Sequence, residues 1–149
     1  MSVQPPVHDA KWRFFWKIGD RPKEFDDGIP QTFPDDFPEW EKGMNKWGYQ
    51  LIDTGLIAAE MAAIGMGLEK DTFTSKMNLA PHLLAPTASD LKKYGVGTAL
   101  ASFHYDLNFI TLHGKSRYPG LFLWTREFKK MPVSIPDGCI LLQAGIMFE

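Results

Sequence analysis

His104-Tyr105-Asp106-Leu107-Asn108-Phe109-Ile110-Thr111-Leu112-His113 is the stretch on which the reading of this chain turns. Two residues apart in an extended segment share a face, so His104 and Asp106 can offer an imidazole nitrogen and a carboxylate oxygen to one point. Those are two of the three ligands of a 2-His-1-carboxylate facial triad, the donor set suited to non-haem iron(II). The competing reading is a surface histidine beside a strand-end aspartate, because H-x-D is a common pattern. Position raises the metal reading level with that one. The pair stands where one extended segment gives way to the next, Asn108-Phe109-Ile110-Thr111-Leu112, which alternates cleanly, and such junctions face the mouth of a barrel. A third ligand should be a later histidine, and no histidine follows His113 in the 149 residues.

Outward from this motif the pattern is one of short extended runs. Residues 82–87, 99–104, 107–113, 121–126, 131–135 and 139–143 read as strands. Turn signals at 92–97, 114–120, 127–130 and Pro136-Asp137-Gly138 separate them. Upstream, Pro38-Glu39-Trp40-Glu41 opens a long amphipathic helix with acid in its first turn. Apolar and small residues recur at helical spacing from Trp47 to Met61, and the helix should end near Gly65-Met66-Gly67. Asp71 is placed to cap a second helix running to about Leu79. Helices first and strands afterwards predict an α+β fold, with short hairpin-linked strands pointing to a sandwich or jelly roll.

Ahead of the helices, residues 1–37 are proline-rich yet carry Trp12, Phe14, Phe15 and Trp16. Aromatics gain by packing, so this segment is expected to be an ordered arm over the core rather than a linker. The division expected is therefore arm 1–37, helical region 38–80 and jelly-roll strands 81–149. At 44% hydrophobic residues the chain can bury a core and is not a disordered segment. A net charge of −2 argues against nucleic acid and against an anionic membrane surface. The single cysteine, Cys139, forbids an internal disulfide and fits a reducing compartment. Residues 1–11 lack the apolar core of a signal peptide, and residues 56–68 are too short and polar to span a bilayer. A cytoplasmic protein without nucleic-acid or membrane partners is the expectation.

Taken as a set, the motifs resemble a family. Residues 104–113 are similar to the H-x-D-x-x-x-[LIF]-T-[LI] signature of the isopenicillin N synthase-like Fe(II)/2-oxoglutarate-dependent dioxygenases. Pro119-Gly120-Leu121-Phe122-Leu123 resembles their Gly-Leu-Gln-Val strand. Trp124 through Gln143-Ala144-Gly145 resembles their strand pair ending in an Asn/Gln-x-Gly turn. The resemblance implies a double-stranded β-helix, with His104 and Asp106 as the first two iron ligands. It also implies Fe(II) and 2-oxoglutarate as cofactors in the oxidation of a small molecule by O2. Three features of the family are missing: the distal histidine, the Arg-x-Ser pair that grips 2-oxoglutarate, and the Asn-x-Tyr pattern near the first barrel strand, which is not evident in residues 81–86. The resemblance therefore implies a domain cut short at its C-terminus, an unclosed barrel and little activity in this form. The alternative is a non-catalytic remnant whose open strand edges and aromatic arm dock on a protein partner or a second copy.

The remaining polar residues have competing readings. Lys115, Arg117 and Tyr118 are candidates for substrate contact at the mouth of the site, against a solvated hairpin tip. His113 shares a face with Phe109 and Thr111 by alternation, and the hairpin is expected to carry it away from His104. His82 reads as a structural histidine, and His8 has no evident partner. Gly114-Lys115-Ser116 lacks the leading glycine of a phosphate loop, and no helix follows it. Cys139 reads as a small core residue.

Overall fold

The computed structural model describes residues 9–19 and 22–148. His8, Pro5 and Pro6 lie outside the described residues. The chain forms two compact units, Met1–Phe103 and His104–Glu149. Among the described residues it mixes helix with short strands, which make four two-stranded antiparallel sheets.

In the first unit the aromatic segment supplies two strands, β1 (Trp12–Arg13) and β2 (Trp16–Lys17). They pair with β4 (Thr87–Ala88) and β3 (Leu83–Leu84) respectively. Alternation sends Trp16 inward, where it is only 2% exposed and forms a cluster with Ile18 and Met44. Phe14, Trp40, Ile52 and Leu84 pack around that cluster.

Helix α1 (Trp40–Gly65) presents a stripe of Met44, Gly48, Gly55, Ala59 and Ala63 as its buried face. Spacings of four and seven keep these residues on one side of the helix. The stripe is small because the neighbours come close: a Cβ at Gly48 would lie within 2.9 Å of the Ile18 side chain. The C-terminus is a Schellman motif. The Leu68 N–H donates to the Ala63 carbonyl at 2.9 Å and the Gly67 N–H to Ile64 at 3.0 Å. Gly67 takes the φ of +73° that this motif requires.

The second helix is shorter than the sequence predicts. It is α2 (Thr74–Met77), entered through Phe73 with no side-chain cap. Asp71 contributes only its carbonyl, which accepts from the Ser75 N–H. Asn78 is already extended and Leu79 has a φ of +56°, so the helix cannot run on to Leu79.

Residues 99–104 also depart from expectation, since they are not a strand. A strand needs a neighbour's backbone, and here the Ser102 N–H donates instead to the Asp9 carboxylate at 2.9 Å. Asp9 also pairs with Lys11 at 2.8 Å. The Lys11 ammonium, followed by the Ser102 N–H, holds the Asp9 carboxyl well below its ordinary value. A carboxylate depressed on folding adds stability that is complete above its unfolded pKa near 3.8 and is lost as pH falls further. Asp9→Asn should therefore lower stability at neutral pH and make acid unfolding below about pH 4 shallower; a pH series of denaturant melts reads both.

The second unit holds a nested pair of sheets. Strand β5 (Ile110–His113) pairs with β8 (Leu141–Ala144), and the hairpin of β6 (Phe122–Trp124) and β7 (Lys130–Pro132) lies between them in sequence. Cys139 is exposed, not a core residue. Its N–H closes the Pro136–Gly138 turn on the Pro136 carbonyl, so it precedes β8 rather than belonging to it. Among the described residues no helix is long and apolar enough to cross a membrane.

Candidate metal centre

The register of β5 on β8 sets Thr111 opposite Gln143 and His113 opposite Leu141. Residues directly opposite on an antiparallel pair project from the same face, so Thr111 and Gln143 reach the same neighbour. That neighbour is Asp106. The Thr111 hydroxyl donates to Asp106 Oδ2 at 2.6 Å, and the Gln143 Nε2 amide donates to the same oxygen at 3.0 Å. Asp106 Oδ1 is turned toward His104, whose Nε2 lies 3.6 Å away.

The backbone is tied down as well. The Ile146 N–H donates to the Asp106 carbonyl at 2.8 Å and the Gly145 N–H to the Phe109 carbonyl at 2.9 Å. The rings of Phe109 and Phe148 stack at 4.9 Å. Gly145 is what permits this approach. A Cβ there would lie 2.7 Å from the Asn108 carbonyl carbon and 2.5 Å from its Oδ1, inside any normal contact. The obstruction is largely backbone, which cannot swing aside. Gly145→Ala should destabilise the second unit by roughly 2 kcal/mol or more. A urea melt followed by tryptophan fluorescence checks this; an unchanged midpoint would contradict the close approach.

The pair suits a metal. Two donors about 2.1 Å from an octahedral ion and at right angles stand about 3.0 Å apart. The observed separation is 3.6 Å, near that value, and His104 is 52% exposed. Oδ2 already accepts two hydrogen bonds, so Oδ1 is the oxygen left to coordinate. Among the described residues no three His, Cys, Asp or Glu side chains are arranged to hold a metal together.

His113 sits closer than the sequence suggested. Its Nε2 is 4.0 Å from Asp106 Oδ2, shielded from solvent and without a hydrogen-bond partner. At that distance it is a neighbour of the carboxylate and not bonded to it. Lys115 forms an ion pair with Asp137, while Arg117 and Tyr118 lie exposed in the following loop. His82 is half-buried, its Nε2 3.0 Å from the Met77 carbonyl. Thr111 and Gln143 entered the sequence reading only as the threonine of the signature and the first residue of the Gln-x-Gly turn, with no role beside Asp106. The signal for Thr111 was its place on the alternating face; that for Gln143 required the register.

No protein-family model matches the sequence, and no curated protein matches it. Solved structures do match. Full-length Neurospora crassa thymine 7-hydroxylase in complex with alpha-KG superposes with a TM-score of 0.76 at 21% identity, over 94% of this chain and 44% of that one. Its complex with alpha-KG and thymine gives 0.77 at 19% identity, over 99% and 48%. The C-terminally truncated apo form gives 0.69 at 18% identity, over 95% and 52%. The chain spans about half the length of the hydroxylase chains it matches. At these identities the likeness is one of fold: a mixture of helix and short strand pairs, shared with a protein that binds alpha-KG.

Proposed function

We propose that this chain belongs to an iron(II)- and 2-oxoglutarate-dependent oxygenase that oxidises a small molecule, with His104 and Asp106 as two of its metal ligands. The observation that carries the proposal is the oriented carboxylate. Asp106 has one oxygen gripped by Thr111 and Gln143 and the other aimed at the His104 imidazole. A carboxylate acting only as a surface group has no need of that arrangement. The fold likeness to hydroxylase structures holding alpha-KG, thymine and 5-formyluracil supports both the cofactor and a small-molecule substrate. The nesting of β6–β7 within β5–β8 supports a jelly-roll ancestry, as in a double-stranded β-helix.

Bound iron(II) with 2-oxoglutarate would supply the oxidising chemistry. The chain's own part is to present one nitrogen and one oxygen on adjacent positions, leaving the remaining positions to other donors. Lys115, Arg117 and Tyr118 would contribute contacts with substrate from the β5–β6 loop. The isolated 149-residue chain is expected to hold a divalent ion weakly and to turn over little or no 2-oxoglutarate. Anaerobic titration with Mn(II), followed by the loss of its aqueous EPR signal, tests the pair. His104→Ala should weaken binding by at least about tenfold; equal affinity in the variant would overturn the assignment.

A second reading is a non-catalytic interaction module. It draws on the exposed Phe122, Leu123, Trp124 and Met131 of the β6–β7 sheet. Mn(II) binding that no change at His104 or Asp106 alters would favour it.

A further inference from the structure

Asp106 makes more polar contacts than a bare metal ligand needs, and they are distributed unevenly. Both side-chain donors, Thr111 Oγ1 at 2.6 Å and Gln143 Nε2 at 3.0 Å, fall on Oδ2. His104 faces Oδ1.

The proton inventory fixes the direction of the first contact. A threonine hydroxyl has one proton, and a carboxylate has none to give. The short contact is therefore the hydroxyl donating to Asp106. Its lone pairs are then free to accept, and the Asn108 Nδ2 amide stands 2.8 Å away to donate to them. The same amide nitrogen also reaches the Ile110 carbonyl at 3.3 Å, which fixes the side chain of Asn108. A relay runs from Asn108 through Thr111 to Asp106, and Gln143 joins it from the paired strand. Each member polarises the next toward the carboxylate.

From this geometry we infer that Thr111 and Gln143 are positioning residues that lock Asp106 as a one-oxygen ligand, with Oδ1 for the metal and Oδ2 withheld. The inference rests on the reading of His104 and Asp106 as metal ligands and adds to it a selectivity. A carboxylate free to rotate can bind through both oxygens, the mode that large ions such as calcium accept readily. With Oδ2 held by two donors, Asp106 occupies one coordination position only. That favours small divalent ions of octahedral preference and leaves a further position open for other ligands. The hydrogen bonds also fix the carboxylate plane before the ion arrives, so less ordering remains to be done on binding.

The test uses Co(II), whose visible spectrum reports coordination as well as occupancy, on the full 149-residue chain. Thr111→Val keeps the β-branched shape that suits a strand and removes only the hydroxyl. Gln143→Leu removes the second donor independently, should the first variant fold poorly. Each is expected to weaken Co(II) binding by about 10- to 100-fold and to change the spectrum of the Co(II) that remains bound. Each should also narrow the preference for Co(II) over Ca(II). Thr111→Ser, which restores a hydroxyl, is expected to recover the affinity and the spectrum, a recovery that loss of packing alone does not give. Asp106→Ala and His104→Ala serve as references. If neither reference weakens binding, or the unaltered chain takes up no Co(II), the metal assignment itself is overturned and this inference with it. If both references weaken binding while Thr111→Val and Gln143→Leu match the unaltered chain in affinity and spectrum, the assignment stands and the locking role is overturned.

Discussion

Trp16→Ala is expected to destabilise the first unit by about 3–5 kcal/mol, enough to leave it largely unfolded at room temperature. The indole is 2% exposed and is the largest member of that unit's buried cluster. It stacks edge-on against Phe33 at 5.5 Å and packs with Ile18 and Met44. Its Nε1 donates to the Asn45 side chain at 2.8 Å, which fixes β2 to α1. Alanine would leave a cavity among these groups and an amide oxygen without its donor. The buried apolar residues described are few and otherwise modest in size: Ala10, Ile18, Met44, Ala59 and Ala63. No other side chain in that group can fill the space. Trp16→Phe separates the two contributions, since it keeps most of the packing and loses the hydrogen bond. It should cost about 1–2 kcal/mol. Chemical denaturation read by far-UV circular dichroism measures both; a midpoint for Trp16→Ala within error of the unaltered chain would show that the cluster is not the core.

Asp106→Asn is the second large effect, and its consequence is functional. The amide has the shape of the carboxylate but not the charge, and its NH2 cannot accept a hydrogen bond. Whichever way the amide turns, one of its two ends is wrong. With the NH2 facing Thr111 and Gln143, donors meet a donor. With the NH2 facing His104, the metal meets no lone pair. Divalent-metal affinity is expected to fall by more than about 100-fold, beyond the 10- to 100-fold typical of losing an outer-shell partner. Stability should fall by only about 1–2 kcal/mol, because Asp106 is at the edge of the unit and 18% exposed. Calorimetric titration with Mn(II) alongside a thermal melt distinguishes the two. A loss of stability as large as that of Trp16→Ala would mean that Asp106 acts through folding instead.

Much of the architecture was legible wherever local signals agreed with one another. The helix at 40–65 announced itself through acid in its first turn, a stripe of small residues and the glycine that its Schellman ending needs. The alternation of residues 108–112 gave β5, and the turn at 127–130 gave the β6–β7 hairpin. Trp16 was legible as a packed aromatic despite the prolines around it. The segments that misled are those whose state depends on a distant partner. Residues 99–104 have strand composition, but the Ser102 N–H is taken by Asp9, which no local pattern reveals. Asp71 has the chemistry of a cap, but the helix opens at Thr74 with Phe73 in the cap position; Leu79 has the composition of a helix, yet its left-handed φ ends it. Cys139 lies in an apolar run and is nonetheless exposed, because the preceding turn holds it outside the strand.

The same division applies to the site. His104 and Asp106 are two residues apart, so their nearness, 3.6 Å between Nε2 and Oδ1, was legible from spacing, while a shared metal is the proposal made above. The support beneath Asp106 was not legible. Gln143 reaches it only because β8 pairs with β5 in one register; a slip by one residue would point Gln143 to the other face and leave Thr111 as the sole side-chain donor. The nearness of His113 to Asp106 was also hidden: alternation puts His113 on the face of Thr111, but only the fold shows that Asp106 lies over that face.

On the proposed function, His104 Nε2 and Asp106 Oδ1 hold one metal ion together. Anomalous diffraction from crystals of the chain soaked in Mn(II) tests it most directly. A single strong peak is expected about 2.0–2.3 Å from both atoms, with Asp106 Oδ2 still bonded to Thr111 and Gln143. A peak located elsewhere, or one coordinated through both Asp106 oxygens with His104 turned away, would contradict it.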